Sequence, residues 1–155
     1  MKKIISLALA LIMALTLSSC GVFSLFGDVA EKGEVMVVVE NADGSFEVYE
    51  AHLESVENKD EGAKGVVENL RDRDENPLHL VMEDGAYGAF VSEIGSIKQS
   101  DGSYVMVYTS VESDSYAGAP TVEYDGKTLY QSGVGISAMK VGAGTVILFR
   151  LESYS

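Results

Sequence analysis

The sequence has few of the residues that cross-link small domains or bind metals through soft ligands. Its 155 residues include one cysteine, Cys20, two histidines, His52 and His79, and no tryptophan. A disulfide framework needs pairs of cysteines, and a Cys-ligated zinc centre needs several thiolates. A single cysteine therefore excludes both, and two histidines 27 residues apart are too few for a His-rich metal site.

Basic residues are also scarce. Eleven Lys and Arg stand against 24 Asp and Glu, which gives a formal net charge of −13. Nucleic-acid binding requires a basic surface that neutralises phosphates, and adsorption to anionic lipid head groups likewise requires positive charge on the protein. We therefore predict no nucleic-acid partner. An acidic surface keeps a protein soluble and attracts cations or basic partners.

Long apolar runs are absent as well. The longest, residues 4–17, has 14 residues, whereas a membrane-spanning helix needs about 20. It follows Met1-Lys2-Lys3 and precedes Ser18-Ser19-Cys20, and these are the three parts of a secretory signal peptide. We predict an export signal over residues 1–19. Its removal takes two lysines and no acid, so the net charge falls from −13 to about −15.

The segment Leu17-Ser18-Ser19-Cys20 resembles the lipobox of bacterial lipoproteins, in which an aliphatic residue and two small residues precede a cysteine. The resemblance implies cleavage before Cys20 and a thioether-linked diacylglyceryl group on its sulfur. Two acyl chains anchor a protein stably in a lipid bilayer, whereas one holds it only marginally. We expect a monomer at the extracytoplasmic face of the bacterial cell membrane. Residues 20–33 would be its tether and residues 34–155 its one domain.

The first part of the domain has the pattern of a hairpin followed by a helix. Residues 35–39 are a short apolar run and residues 46–53 extend again. The intervening Asp43-Gly44 is a strong hairpin signal. Within residues 62–71, apolar positions share one helical face, which predicts a short helix even though two glycines each cost up to about 1 kcal/mol there.

Beyond Pro77 the pattern predicts further strands separated by Asp-Gly turns. The predicted strands are 78–82, 87–91, 103–111, 122–124, 128–130, 134–139 and 145–151, and the turns are Asp84-Gly85, Asp101-Gly102 and Asp125-Gly126. Many strands and one short helix predict a β-rich α+β domain. The order hairpin, helix, strands is that of a β-grasp (ubiquitin-like) fold.

Three segments carry a family resemblance. Residues 85–95 (Gly-Ala-Tyr-Gly-Ala-Phe-Val-Ser-Glu-Ile-Gly), 101–109 (Asp-Gly-Ser-Tyr-Val-Met-Val-Tyr-Thr) and a closing segment made of 133–136 and 141–149 together resemble the transcobalamin C-terminal-like domain. The resemblance implies a β-grasp fold over about residues 34–152. Bacterial members of this family have no assigned function and are often surface lipoproteins.

The chain departs from that family at positions that bear on the ligand. Val105 stands where the family usually has Trp, and Ala143 replaces an acidic residue in the closing turn. In the animal cobalamin carriers the domain covers one face of the corrinoid beside a separate α-helical domain, and these 155 residues encode no such partner. The resemblance therefore implies the fold but not the ligand. No cofactor is predicted, and cobalamin and calcium are the two ligands to test.

One acidic loop has the spacing of a metal site. Numbered from Asp72, the oxygen-bearing residues Asp72, Asp74, Asn76 and Glu83 fall at positions 1, 3, 5 and 12, as in an EF-hand loop. Position 6, where that loop needs glycine, is Pro77, whose ring fixes φ near −65°. The sequence is compatible with both a calcium site and a solvated acidic loop.

A set of tyrosines is the candidate ligand surface. Tyr104 and Tyr108 lie on one face of a predicted strand, and Tyr116 follows in a Ser/Gly/Ala loop. Tyrosines near loops give amphipathic contact area for ligands or partners, although Tyr104 and Tyr108 would equally suit a core.

The sequence contains no recognisable nucleophile–base pair, so we predict a binding module for a small molecule or an envelope protein rather than an enzyme. The alternatives are a protein that binds divalent metal through acidic loops and a structural or interaction domain of the cell envelope.

Overall fold

The computed structural model describes residues 27–154, so Cys20, the signal peptide and part of the tether lie outside the described residues. Within this range the chain forms nine strands and one short α-helix, which confirms a β-rich α+β domain. The elements are β1 (Glu34–Glu40), β2 (Phe46–His52), α1 (Gly62–Glu68), β3 (Leu80–Gly85), β4 (Gly88–Ile94), β5 (Ile97–Lys98), β6 (Ser103–Thr109), β7 (Thr121–Tyr124), β8 (Lys127–Gln131) and β9 (Val146–Ser153). The described part contains no helix long and apolar enough to span a membrane.

The predicted first hairpin is confirmed. β1 and β2 pair antiparallel without a bulge, from Glu34 opposite His52 to Glu40 opposite Phe46. The turn closes because Asn41 N donates to Ser45 O at 2.8 Å. Its Asp43 side chain accepts a hydrogen bond from Ser45 N at 2.9 Å, as turn aspartates commonly do.

The strands form two sheets. The larger has six strands in the order β2-β1-β9-β6-β8-β7, and the smaller has the order β3-β4-β5. The final strand β9 lies in the middle of the large sheet, parallel to β1 and antiparallel to β6. β1 and β9 read as nearly continuous apolar runs because each is covered on both faces.

Apolar clusters cover both faces of the large sheet. The main core packs one face against α1 and the small sheet, and includes Val37, Phe149, Val66 and Ile94. We call the second cluster, on the opposite face, the outer cluster; its buried members are Val38, Tyr108, Leu129, Val146 and Leu148. The sheet is strongly curved, since Phe46 on one edge strand and Tyr124 on the other have ring centroids only 5.3 Å apart.

The predicted helix is confirmed, but it ends at Glu68 rather than at residue 71. The Asn69 side chain donates to Gly65 O at 2.7 Å, and Leu70 N donates to Val67 O at 3.1 Å, which tightens the last turn. The chain then reverses into a separate loop at Asp72, whose N–H bonds Asn76 O at 2.8 Å.

The turn predicted at Asp84-Gly85 is wrong. β3 runs through Gly85, which pairs with Gly88, and the chain reverses at the next two residues, 86–87. Gly85 stays in the strand because the Phe90 ring lies over it: a Cβ at Gly85 would lie closer than 3.0 Å to the Phe90 ring carbons. A cross-strand aromatic here covers a glycine that the local sequence marks as a turn.

The strand predicted over residues 134–139 is also wrong. The structure has a 3-10 turn at Ile136–Ala138, which buries Ile136 and Met139. Gly135 N donates to Tyr87 O at 2.7 Å, and Ser137 Oγ accepts from Ala89 N at 2.9 Å. The segment therefore packs against β4 and the turn before it through isolated hydrogen bonds. Its buried residues Ile136 and Met139 are three positions apart, as in a 3-10 turn, rather than two as in a strand.

Part of the expected tether belongs to the folded domain. Val29 is buried in the main core and forms a parallel bridge with Val141. Ala30 N donates to Val141 O at 2.8 Å, and Val29 N donates to Lys59 O at 3.0 Å. Ordered packing thus begins by residue 29 instead of residue 34.

Candidate functional site

A cleft of about 870 Å³ runs along the edge strand β2. Its opposite wall is the loop that follows α1. We call it the β2 cleft, and its lining consists of Phe46, Glu47, Val48, Tyr49, Glu50, Ala51, His52, Ser55, Val56, Asn69, Leu70, Arg71, Asp72, Arg73, Asp74 and Glu75.

The β2 wall presents unpaired backbone groups. In an antiparallel pair, every second residue exchanges hydrogen bonds with its partner and the residues between point outward. Asn41 N bonds Ser45 O at one end of the hairpin and Leu53 N bonds Gly33 O at the other, both at 2.8 Å, which fixes the alternation. Because β2 is the last strand of its sheet, the N–H and C=O groups of Phe46, Val48 and Glu50 face away from β1 without a strand partner in the described residues.

The loop wall also has outward-facing backbone. Leu70 O accepts from Leu78 N at 3.1 Å, and Asp72 N donates to Asn76 O at 2.8 Å, on either side of the bridge between Arg71 and Pro77. These bonds make Arg71–Pro77 the non-hydrogen-bonded pair of a small antiparallel ladder. The backbone N–H and C=O of Arg71 therefore point away from Pro77.

The lining is rich in charge and predominantly acidic. Five carboxylates stand against two guanidinium groups; they are Glu47, Glu50, Asp72, Asp74 and Glu75 against Arg71 and Arg73. Tyr49 OH donates to Glu47 Oε2 at 2.7 Å. Burial, together with this carboxylate, raises the pKa of Tyr49 to about 12.

Apolar surface accompanies that charge. Phe46 and Val48 are each 48% exposed, and they lie on the same face of β2 as the outer cluster. The cleft can therefore offer a ligand backbone hydrogen bonds, carboxylates and apolar contact along one strand.

The predicted metal ligands are divided between two places. Asp72, Asp74 and Asn76 share the loop, but Asp72 Oδ1 is occupied as the acceptor of backbone N–H groups from Asp74 at 2.8 Å and Asn76 at 2.9 Å. These hydrogen bonds hold the pKa of Asp72 below its usual value. Glu83 is exposed on β3, opposite Phe90. Among residues 27–154, no three His, Cys, Asp or Glu side chains are grouped to hold a metal ion.

The three predicted ligand-binding tyrosines have different environments. Tyr108 is 2% exposed and packs in the outer cluster, and its OH donates to Glu152 Oε1 at 2.6 Å. Burial and that carboxylate raise the pKa of Tyr108. Tyr104 is 47% exposed and contacts Tyr154, while Tyr116 is 49% exposed and donates to Gln131 Oε1 at 2.9 Å. None of the three lines the β2 cleft.

Asp114 is a buried acid outside the cleft. It is 6% exposed, and its Oδ2 accepts a hydrogen bond from Lys140 N at 2.7 Å. Burial raises its pKa, although the bond to Lys140 N acts in the opposite direction. The folded protein therefore holds the Asp114 proton more tightly than the unfolded chain does.

We expect Asp114→Asn to stabilise the protein at neutral pH. With a raised folded pKa, the Asp114 contribution to stability is lost as pH rises from the unfolded value of 3.8 through the folded value. Asparagine has no proton to lose and keeps an oxygen that can accept from Lys140 N. Urea unfolding from about pH 3 to about pH 7 should show the variant gaining on the wild type as pH rises. Asp114→Ala is the control, since it leaves the Lys140 N–H without its acceptor and should cost about 1–3 kcal/mol throughout. A constant difference between the Asn variant and the wild type would contradict the expectation.

The comparisons with known proteins add little to this geometry. No protein-family model and no curated protein matches the sequence. Among the solved structures that are similar is that of a "putative metal binding protein" from Ruminococcus gnavus ATCC 29149 at 1.30 Å resolution. It is 14% identical with a TM-score of 0.46, over 80% of this chain and 100% of that one. At that level of similarity we transfer neither its fold nor its metal binding to this chain.

The β2 cleft was not predicted from the sequence. Residues 46–53 were correctly predicted as a strand. Whether that strand lies at the edge of the sheet depends on where the distant strands β7 and β9 lie. The available local signal was the alternation in β2, where Phe46 and Val48 are apolar at positions between charged or half-buried residues. Combined with the apolar run at residues 35–39 of β1, that pattern favours an outer strand with a partly apolar exposed face.

Proposed function

We propose that this chain is a lipid-anchored, extracytoplasmic module of β-grasp type that binds an envelope protein in the β2 cleft without acting on it chemically. The observation that carries the proposal is the cleft itself. It combines an unpaired strand edge and exposed apolar side chains on its β2 wall with an excess of carboxylates over its two walls.

The strand order supports a β-grasp. An initial antiparallel hairpin is followed by the helix, and the last strand lies between β1 and β6, parallel to β1. This arrangement agrees with the resemblance to the transcobalamin C-terminal-like domain.

The sequence around Cys20 supports the anchor. If lipid is attached at Cys20, the seven residues 20–26 separate it from the described domain, and even fully extended they span at most about 25 Å. The domain would thus remain close to the bilayer, where envelope proteins are the accessible partners.

Site-specific crosslinking in the cells that encode the protein tests this function. The photoreactive residue benzoylphenylalanine replaces Val48 in the cleft or, as a matched control, Glu123 on the opposite edge strand β7. We expect a covalent product with an envelope protein from position 48 at least tenfold above that from position 123.

Cys20→Ser provides the second arm. It should move the chain out of the membrane fraction and lower the crosslink yield from position 48, because the anchor sets the local concentration of the partner. Equal products from positions 48 and 123, or none from either, would contradict a binding role for the cleft.

A further inference from the structure

We propose that the partner of the β2 cleft is an extended, basic peptide segment that adds to β2 as a seventh strand of the large sheet. This rests on the proposed function and names the partner's chemistry and its mode of binding. In such strand addition, backbone hydrogen bonds supply affinity, and alternate side chains supply specificity.

The two edges of the large sheet differ in how well they are blocked. β7, at one edge, has four residues and follows directly on Pro120. β2, at the other edge, has seven residues and contains neither proline nor lysine. Proteins usually shorten or block edge strands to prevent pairing with other chains. An edge as long and open as β2 is therefore suited to pairing.

The free backbone groups of β2 match one short strand. Phe46, Val48 and Glu50 each present an outward N–H and C=O, a spacing of two residues that a single extended segment meets in register. Arg71, on the loop wall, adds a further backbone N–H and C=O turned away from Pro77.

The side chains select the partner. The cleft carries five carboxylates and two arginines, a difference of three negative charges. Lysine or arginine side chains on the added strand would meet these carboxylates, and its apolar side chains would contact Phe46 and Val48. A second copy of this chain fits poorly, since pairing β2 with β2 would bring two acidic clefts together in a chain of net charge −13.

The test uses the full chain, ¹⁵N-labelled in a mild non-ionic detergent, and an acetylated and amidated peptide of alternating lysine and valine. We expect the peptide to shift the amide resonances of residues 46–52 and 69–75. The same peptide N-methylated at every residue keeps its charge but loses its backbone N–H donors. A peptide of alternating glutamate and valine keeps the backbone N–H donors but reverses the charge. Both should bind at least tenfold more weakly.

Two substitutions at position 48 distinguish the contribution of the backbone N–H to peptide binding from that of the side chain. Val48→Pro removes the outward N–H without breaking the ladder to β1 and should lower peptide affinity at least tenfold. Val48→Ala keeps the N–H, loses only part of the apolar contact, and should lower affinity by about threefold. Glu123→Pro makes the equivalent change on β7 and should leave affinity unchanged.

Several results would overturn strand addition: shifts confined to other residues, equal binding of the N-methylated peptide, equal losses in the two Val48 variants, or self-association of the chain through β2. The N-methylated peptide keeps the test valid even if Val48→Pro fails to fold. The crosslink from position 48 is independent of the peptide result, so it distinguishes loss of this inference from loss of the proposed function.

Discussion

Replacing Gly65 with alanine should destabilise the protein by about 3 kcal/mol, although alanine is the better helix former by about 1 kcal/mol. Gly65 lies inside α1, where its missing side chain lets the helix approach the segment before it. A Cβ at this position would be closer than 3.0 Å to the carbonyl oxygen of Asn58. That carbonyl cannot move freely, because it accepts a hydrogen bond from Glu61 N at 3.2 Å. Urea unfolding followed by circular dichroism measures the loss.

Gly142→Ala is the matched control for Gly65→Ala. No atom lies within 4 Å of a Cβ at Gly142, and its φ is not in the left-handed region. Alanine there should be neutral or stabilise by up to about 1 kcal/mol, since it restricts the unfolded chain. If Gly65→Ala proved as harmless as Gly142→Ala, close approach of α1 to Asn58 would not explain the glycine.

Gly65 also shows why the helix was predictable while its packing was not. Val66, Val67 and Leu70 give the helical period and are all buried, as that period predicts. The glycines looked like a weakness of the helix because propensity considers only the helix itself. Gly65 is explained by its approach to Asn58 in the preceding loop, and Gly62 by its positive φ and its approach to Met139 O. No pattern within the helix reveals either contact.

Among the strands too, those with a local sequence signal were predicted, and features that depend on distant parts of the chain were not. The hairpin β1–β2 and the strand β9 were predicted because a local turn signal or a long apolar run determines each of them. The residues 134–139 were misread because alternating apolar side chains also suit a segment that docks on β4 by separate hydrogen bonds. The β2 cleft was missed because an edge exists only once the complete strand order is formed.

The second large effect concerns the tyrosines. Tyr108→Ala should destabilise the protein by about 3–5 kcal/mol, because its ring is 2% exposed and fills the outer cluster between Val38, Leu129 and Leu148. Tyr108→Phe keeps the ring and removes only the hydroxyl. It should cost about 0.5–1.5 kcal/mol for the hydrogen bond to Glu152 Oε1.

Tyr104→Ala and Tyr116→Ala are the variants with which Tyr108→Ala is compared, and the comparison decides the roles of the three tyrosines. Both side chains are about half exposed, and Tyr104→Ala should cost no more than about 1 kcal/mol in urea unfolding. Tyr116→Ala should cost about 1–3 kcal/mol, because it leaves the buried Gln131 Oε1 without its donor. A small loss for Tyr108→Ala would mean that the outer cluster does not depend on its ring, and Tyr108 would again be available as a ligand contact. The expected large loss instead assigns Tyr108 to the core of the curved sheet. The exposed apolar surface of β2, at Phe46 and Val48, then lies beside a stable cluster that holds the strand in place for a partner.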